Sequence, residues 1–193
     1  MDSRKGTFVI VVGSSGSGKG TLIQHIKTLF PEVLFPNSCV TRPMREGEMQ
    51  GFPYQFLSVE EFKKRIASGD FIEWAQFSGQ YYGTPKESIV RPIEEGKIIL
   101  KEIEVQGARI LLEKLPRENL VIIFIDAGNW DEYAEARLKR RAPISDDEIE
   151  IRRMRYEDEM TFKEQADFVI SNRDGKLEQA KRDFENIIRS IIQ

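Results

Sequence analysis

Gly13, Ser14, Ser15, Gly16, Ser17, Gly18, Lys19, Gly20 and Thr21 follow directly on the apolar run Val9–Val12. Glycines at 13, 16 and 18 permit close backbone approach, so successive N–H groups and the N-terminus of a following helix can surround phosphate oxygens. Lys19 adds a mobile positive charge for terminal phosphates. The spacing Gly13-x-x-x-x-Gly18-Lys19 fits the Walker A pattern, except that Gly20 stands where a Ser or Thr usually offers its hydroxyl to Mg2+. A kinase and a simple nucleoside triphosphate hydrolase are equally well served by such a loop.

A second set separates them. Ser38 to Tyr54 reads SCVTRPMREGEMQGFPY, with Arg42 and Arg45 three apart beside Glu48, Gly51 and Tyr54. Two guanidinium forks and a phenol hydroxyl suit a phosphate monoester; the plainer reading is a surface basic patch paired to Glu46 and Glu48. Glu73 lies in FIEWAQF, and Tyr82-Gly83-Thr84 begins nine residues later. Taken alone, Glu73 reads as an ordinary strand carboxylate. Arg137, Arg141 and Arg152 fall in the charge-dense stretch RLKRRAPISDDEIEIRRMRYED, which fits an exposed helix pair closing over a site, or a merely solvated hairpin.

The elements that must position these residues follow from the apolar pattern. Thr7 to Val12 predicts a buried strand and Gly20 to about Phe30 a helix, which puts the glycine loop between strand end and helix start. Continuous apolar runs at Ile98–Ile103, Leu120–Ile125 and Phe168–Ile170, each before a helix-compatible segment, predict a parallel α/β core. From about Asn37 to Ile89 short aromatic and glycine-rich segments interrupt that rhythm and predict a small mixed β insertion, read as a substrate module. Leu177, Ala180, Phe184, Ile187, Ile188 and Ile191 mark the core face of a final helix from about Lys176 to Ile192.

Composition narrows the class further. One cysteine, Cys39, rules out an internal disulfide framework, and with one histidine, His25, leaves no zinc cluster to build. A reducing cytoplasm is the expected compartment, and neither an export signal nor an apolar run of membrane-spanning length is visible. The net charge of −3 argues against a broad nucleic-acid surface, so any anion site has to be local.

In combination these residues resemble the guanylate kinase family, whose SxxTRxxRxGExxGxxYxF and FIEWAxFSGxYYGT segments stand here almost intact, with a Glu-containing QGA segment at Glu102–Ala108, and the resemblance covers nearly the whole chain. It implies a P-loop core of about residues 1–36, 93–136 and 160–193, a GMP-binding insertion of about 37–92 and a lid of about 137–159. The implied reaction moves the γ-phosphoryl group of ATP to GMP, with Mg2+ held mainly through nucleotide phosphates and water. Carried over by position, Arg42, Arg45, Tyr54 and Tyr82 take the GMP phosphate, and Ser38, Glu73 and Thr84 the guanine. Glu102 and Glu104, two apart and so on one face of an expected strand, point into the cleft, Glu102 near the Mg2+ water shell and Glu104 near the GMP base. Arg137, Arg141 and Arg152 join Lys19 in neutralising the transferred group, and Asn172 lies near the adenine. Two other readings stand beside this one: a non-catalytic phosphopeptide-binding module of guanylate-kinase-like type, and a ribose bisphosphate phosphokinase, which would not need Ser38, Glu73 and Thr84.

The chain departs from the family pattern in four places. Gly20 removes the loop hydroxyl, as in the GKGT loop of adenylate kinases, which leaves Thr21 to reach toward the α-phosphate. Ala127-Gly128-Asn129 replaces Pro-Pro-Ser, Arg141-Ala142-Pro143 replaces Arg-Gly-Thr in the lid, and Arg173 replaces an acidic neighbour of Asn172.

Overall fold

The computed structural model describes residues 6–14, 16–77, 79–131 and 145–193. Ser15, Arg137 and Arg141, and the first half of the expected helix pair, lie outside the described residues. The chain divides into two compact units, each assembled from three segments: Met1–Phe8, Val33–Leu100 and Gln106–Leu120 in the first, and Val9–Glu32, Lys101–Val105 and Val121–Gln193 in the second.

The predicted apolar runs form one parallel four-stranded sheet. Its strands are β1 (Thr7–Val12), β6 (Ile98–Glu102), β7 (Leu120–Asp126) and β8 (Phe168–Ser171), in the order β6-β1-β7-β8. Val9–Val12 and Ile122–Ile125 are fully buried, as expected of parallel strands covered on both faces, which read as unbroken hydrophobic runs. Helices α1 (Lys19–Leu29), α4 (Val105–Lys114) and α6 (Leu177–Ile192) follow β1, β6 and β8. In α6 the predicted face holds: Ala180, Phe184 and Ile188 are buried, while Leu177, at the first turn, stays 37% exposed. No helix among the described residues is long and apolar enough to cross a membrane.

The aromatic stretch builds the mixed sheet its composition predicts. β2 (Ser38–Val40) pairs in parallel with β3 (Tyr54–Phe56) and antiparallel with β5 (Gln80–Pro85), which pairs antiparallel with β4 (Phe71–Phe77). Helix α2 (Val59–Ala67) starts at Ser58, whose side chain accepts from the Glu61 N–H at 3.1 Å, with Glu60 and Glu61 in the first turn and Lys64 and Arg65 in the last. Those charges suit both ends of its dipole. Its one fully buried side chain, Phe62, stacks on Phe71 and Tyr81 with ring centroids 4.4 and 5.4 Å away. Gly83 leaves the room for this contact, since a Cβ there would come within 2.9 Å of the Phe62 ring.

Helix α3 (Glu87–Glu94) follows β5, and α5 (Asp146–Thr161) lies in the charge-dense stretch. Ser145 caps α5 by accepting from the Glu148 N–H, and Ile149, Tyr156 and Met160 pack with Trp130. α5 is therefore not only a solvated helix: one face has its own small core.

One strand boundary corrects the sequence reading. β6 ends at Glu102, so Glu104 lies in the short connection before α4 and not on a strand beside Glu102. The ladder stops one step further on, where the Ile103 N–H donates to the Val11 carbonyl.

Candidate functional site

In the second unit the glycine loop runs from the buried end of β1 into α1. Its shape requires glycine at two points. Gly13 has φ +146° and a Cβ there would lie 2.5 Å from the Ile125 carbonyl oxygen, while Gly18 has φ +87° and a Cβ there would lie 2.4 Å from the Asn172 amide nitrogen. Gly18 is also the helix N-cap, without a side chain to cap the first turn and without an acid within it. The first N–H groups of α1 thus keep their capacity and their dipole for an external anion.

Lys19 is 7% exposed; its Nζ donates to the carbonyls of Gly13 at 2.6 Å and Ser14 at 3.1 Å and lies 3.6 Å from Glu102 Oε1. Among the described residues the fully buried Ser17 Oγ has no hydrogen-bond partner. An orphaned hydroxyl in such a place costs free energy unless a ligand supplies the missing bond. Gly20 and Thr21 are exposed, with open space where a Gly20 side chain would be. Asn172 anchors the loop from β8's end, its amide donating to the Ser17 carbonyl at 2.7 Å and its backbone N–H to the Asp126 carbonyl.

Sequence reasoning missed Asp126 and Lys163. The buried Asp126 accepts from Lys163 at 2.9 Å and from the Gly128 N–H, with Arg173 3.9 Å away, while Tyr156 donates its hydroxyl to the Gly128 carbonyl. Burial, with Asp126 nearby, pushes the Tyr156 phenol up from its ordinary value. These bonds fix the segment 126–129, the place where the chain departs from Pro-Pro-Ser. Arg152 on α5 is bonded to Glu148 one turn earlier at 3.1 Å.

In the first unit the mixed sheet gathers the other candidates on one face. Ser38 stands beside Tyr54, Val40 beside Phe56 and Tyr82, and Glu73 beside Thr84. With side chains alternating along each strand, Ser38, Tyr54, Tyr82, Thr84 and Glu73 share a side, and Cys39, Gly83 and Tyr81 take the other, under α2. Glu73 is 7% exposed and Thr84 fully buried, and the Thr84 hydroxyl donates to a Glu73 carboxylate oxygen. Arg42 stands 5.1 Å over the Tyr54 ring and 5.5 Å over that of Phe56. Its two terminal nitrogens each donate to Glu48 at 2.6 Å, and the Arg45 backbone N–H also reaches Glu48 while the Arg45 side chain is exposed. The arginine patch is thus paired to an acid, Glu48 alone among the two acids expected, and that pairing fixes the orientation of Arg42.

Those bonds give Glu48 an unusual titration. The Arg42 guanidinium first, and the Arg45 N–H second, hold its carboxyl at about 2 against an ordinary value of 4.5. A depressed carboxyl lends stability that is complete above the unfolded value and lost as pH falls through the folded one. In an NMR titration the Glu48 carboxyl carbon should turn over near pH 2, and Glu48→Gln should flatten the acid-unfolding curve between about 4.5 and 2. A midpoint near 4.5 in the folded protein would show that the pair is open in solution.

A parallel α/β sheet with a glycine loop at a helix N-terminus, together with a second sheet presenting arginine, phenol and a buried carboxylate, describes a nucleotide-binding protein of the kinase class. A family model described as guanylate kinase matches residues 5–191. The guanylate kinase of Thermosynechococcus vestitus is 40% identical over 169 residues, 88% of this chain and 87% of its own length. That of Synechococcus sp. (strain JA-3-3Ab) is 36% identical over 184 residues, 95% of this chain and 82% of its own. A crystal structure of guanylate kinase from Anaplasma phagocytophilum superposes with a TM-score of 0.72 at 26% identity, covering 97% of this chain and 86% of that one. The chain belongs to the guanylate kinase family.

Proposed function

We propose that this protein transfers the γ-phosphoryl group of ATP to GMP, and to dGMP, giving ADP and GDP. The observation that carries the reading is the buried Glu73–Thr84 pair on the same sheet face as Ser38, Tyr54 and Tyr82. Guanine offers N1–H and N2–H2 donors on one edge, which an ionised Glu73 accepts; the Ser38 hydroxyl donates to O6, and the Thr84 hydroxyl turns to O6 once the donors of the base replace it on Glu73. Adenine presents a lone pair at N1 and no amine at C2, so it would leave the carboxylate facing an acceptor. A site built around a required hydrogen bond rejects such an analogue by roughly 10⁴-fold. Arg42, Arg45, Tyr54 and Tyr82 hold the GMP phosphate, and the family resemblance assigns Glu104 to the base.

For the donor, the loop residues fit a polyphosphate: Ser17 Oγ lacks a partner among the described residues, Gly13 and Gly18 leave no room for a side chain, and Lys19 brings charge. Ser14, Ser15, Gly16, Gly20 and Thr21 complete the loop, and Asn172 supports its Ser17 carbonyl on the adenine side. Mg2+ would be carried by the nucleotide phosphates and water, with the Glu102 carboxylate, 3.6 Å from Lys19 Nζ, offered to that water, and it would supply neutralisation of phosphate charge. The accepting oxygen belongs to a phosphate whose second pKa is near ~6, so it is already largely ionised at neutral pH and no general base is required. What remains is alignment of two polyanions and neutralisation of the moving charge. Lys19, Arg137, Arg141 and Arg152 supply it, the arginines from a lid of about residues 137–159 that, with an insertion of about 37–92, completes the core. A cytoplasmic setting suits this chemistry and the single thiol.

A coupled assay of ADP release with GMP, dGMP, AMP, CMP, UMP and ribose 1,5-bisphosphate as acceptors tests the reading. Turnover is expected with GMP and dGMP and should be lower by about 10⁴-fold or more with AMP. Absence of GMP-dependent turnover would overturn it, and turnover of the sugar bisphosphate would favour the phosphokinase alternative.

A further inference from the structure

Glu73 reaches the binding face only because β4 is irregular. From Phe77 back to Glu73 the strand pairs residue for residue with Gln80 to Thr84, but the next pairing is Phe71 with Pro85, so Ile72 is an extra residue on β4. Under strict alternation Phe71 and Glu73 would share a face. The bulge separates them: Phe71 packs against Phe62 beneath α2, and Glu73 meets Thr84 on the other side. A bulge turns the strand locally and re-aims a side chain at the cost of one residue outside the ladder. That residue, Ile72, is 3% exposed, and its carbonyl must find a partner.

The partner comes from a distant element. Lys114 Nζ, in the last turn of α4, donates to the Ile72 carbonyl at 2.9 Å. The bond is charge-assisted, hence stronger than a neutral one, and it grips the chain one residue before Glu73. We propose that Lys114 is a positioning residue for acceptor selection, its ammonium fixing the Ile72 bulge and thereby the aim of the Glu73 carboxylate at the guanine edge. This rests on the guanine-reading role proposed above for Glu73.

The test compares GMP with IMP, which keeps N1–H but lacks the N2 amine, in the parent and in Lys114→Met, Lys114→Arg and Glu73→Gln. Lys114→Met keeps the aliphatic stem and removes the donor. Misaiming a binding group by ~1 Å can cost on the order of 10²-fold, so a partial loss is expected. KM for GMP should rise about tenfold while KM for IMP changes little, narrowing the GMP preference about tenfold with KM for ATP and kcat within about twofold. Lys114→Arg, which still donates, should keep the preference within about threefold. A purely structural lysine would lower Tm without changing the GMP to IMP ratio.

If Lys114→Met does not fold, Lys114→Gln takes its place; its amide ends one bond short of the ammonium, and the same narrowing is expected. An unchanged ratio in folded Lys114→Met or Lys114→Gln, with Glu73→Gln losing the preference, overturns the positioning role and leaves the guanine reading intact. Unchanged GMP kinetics in Glu73→Gln would remove the base-reading assignment and this proposal with it.

Discussion

Glu73→Gln is expected to lower kcat/KM for GMP by about 10³-fold while KM for ATP stays within about twofold of the parent. The charge matters as much as the shape. A carboxylate accepts at both oxygens, and one of them already takes the Thr84 hydroxyl. Glutamine replaces one acceptor by an NH2; because N1–H and N2–H2 of guanine each need an oxygen, that NH2 faces a donor of the base in either orientation, whereas the Thr84 hydroxyl can rotate to accept from it. With Thr84 fully buried and Glu73 7% exposed, solvent is largely kept from relieving that clash, and an unpaired buried donor costs about 1–3 kcal/mol before the lost charge is counted. The glycine loop is untouched, so donor binding should persist. Steady-state kinetics with GMP and ATP varied in turn separate the two effects, and a parallel fall in ATP affinity would mean that Glu73 supports the fold and not the base.

The second large effect is expected at Lys19. Lys19→Met should reduce kcat by about 10³-fold or more, because electrostatic stabilisation of the transferred phosphoryl group is the main work such a site performs. In the free protein the ammonium donates to the carbonyls of Gly13 and Ser14 and lies near Glu102. A phosphate drawing Lys19 toward itself exchanges those partners for a stronger one. Methionine preserves the stem and its packing, so Tm should stay close to the parent value and GMP binding, measured by calorimetry, should be kept. A fall in KM affinity alone, with kcat unchanged, would make Lys19 a ground-state binding residue.

Much of this was legible in the sequence because chemistry constrains residue type there. Gly13 and Gly18 leave room for no side chain, and the motif says so; the parallel strands announce themselves as unbroken Val and Ile runs. Arg42, Glu48 and Tyr54 were visible as a local cluster, though not the bidentate pairing that orients them. The Ile72 bulge was not legible. FIEWAQF read at period two gives a plain strand, and only packing of Phe71 under Phe62 reveals that one residue has been set aside. Likewise Lys114 meets Ile72 across 42 residues, and Lys163 meets Asp126 across 37, separations at which charge pattern carries no signal. Glu104 was misplaced for the opposite reason: exposure still alternates past the end of β6, so a periodic pattern outlasts the strand that produces it.

The ties that anchor the glycine loop have a consequence for synthesis. The loop and α1 leave the ribosome early, yet Asn172, which holds the Ser17 carbonyl, and Glu185 and Arg189 of α6, which meet His25 and the Phe30 ring, emerge about 150 residues later. All segments of the unit carrying the mixed sheet are present once Leu120 is out. The nascent chain therefore has all the parts of its mixed sheet long before the phosphate loop can be locked, and a chain arrested with Leu120 already out and Asn172 not yet made would hold the face proposed to read guanine with no finished donor site.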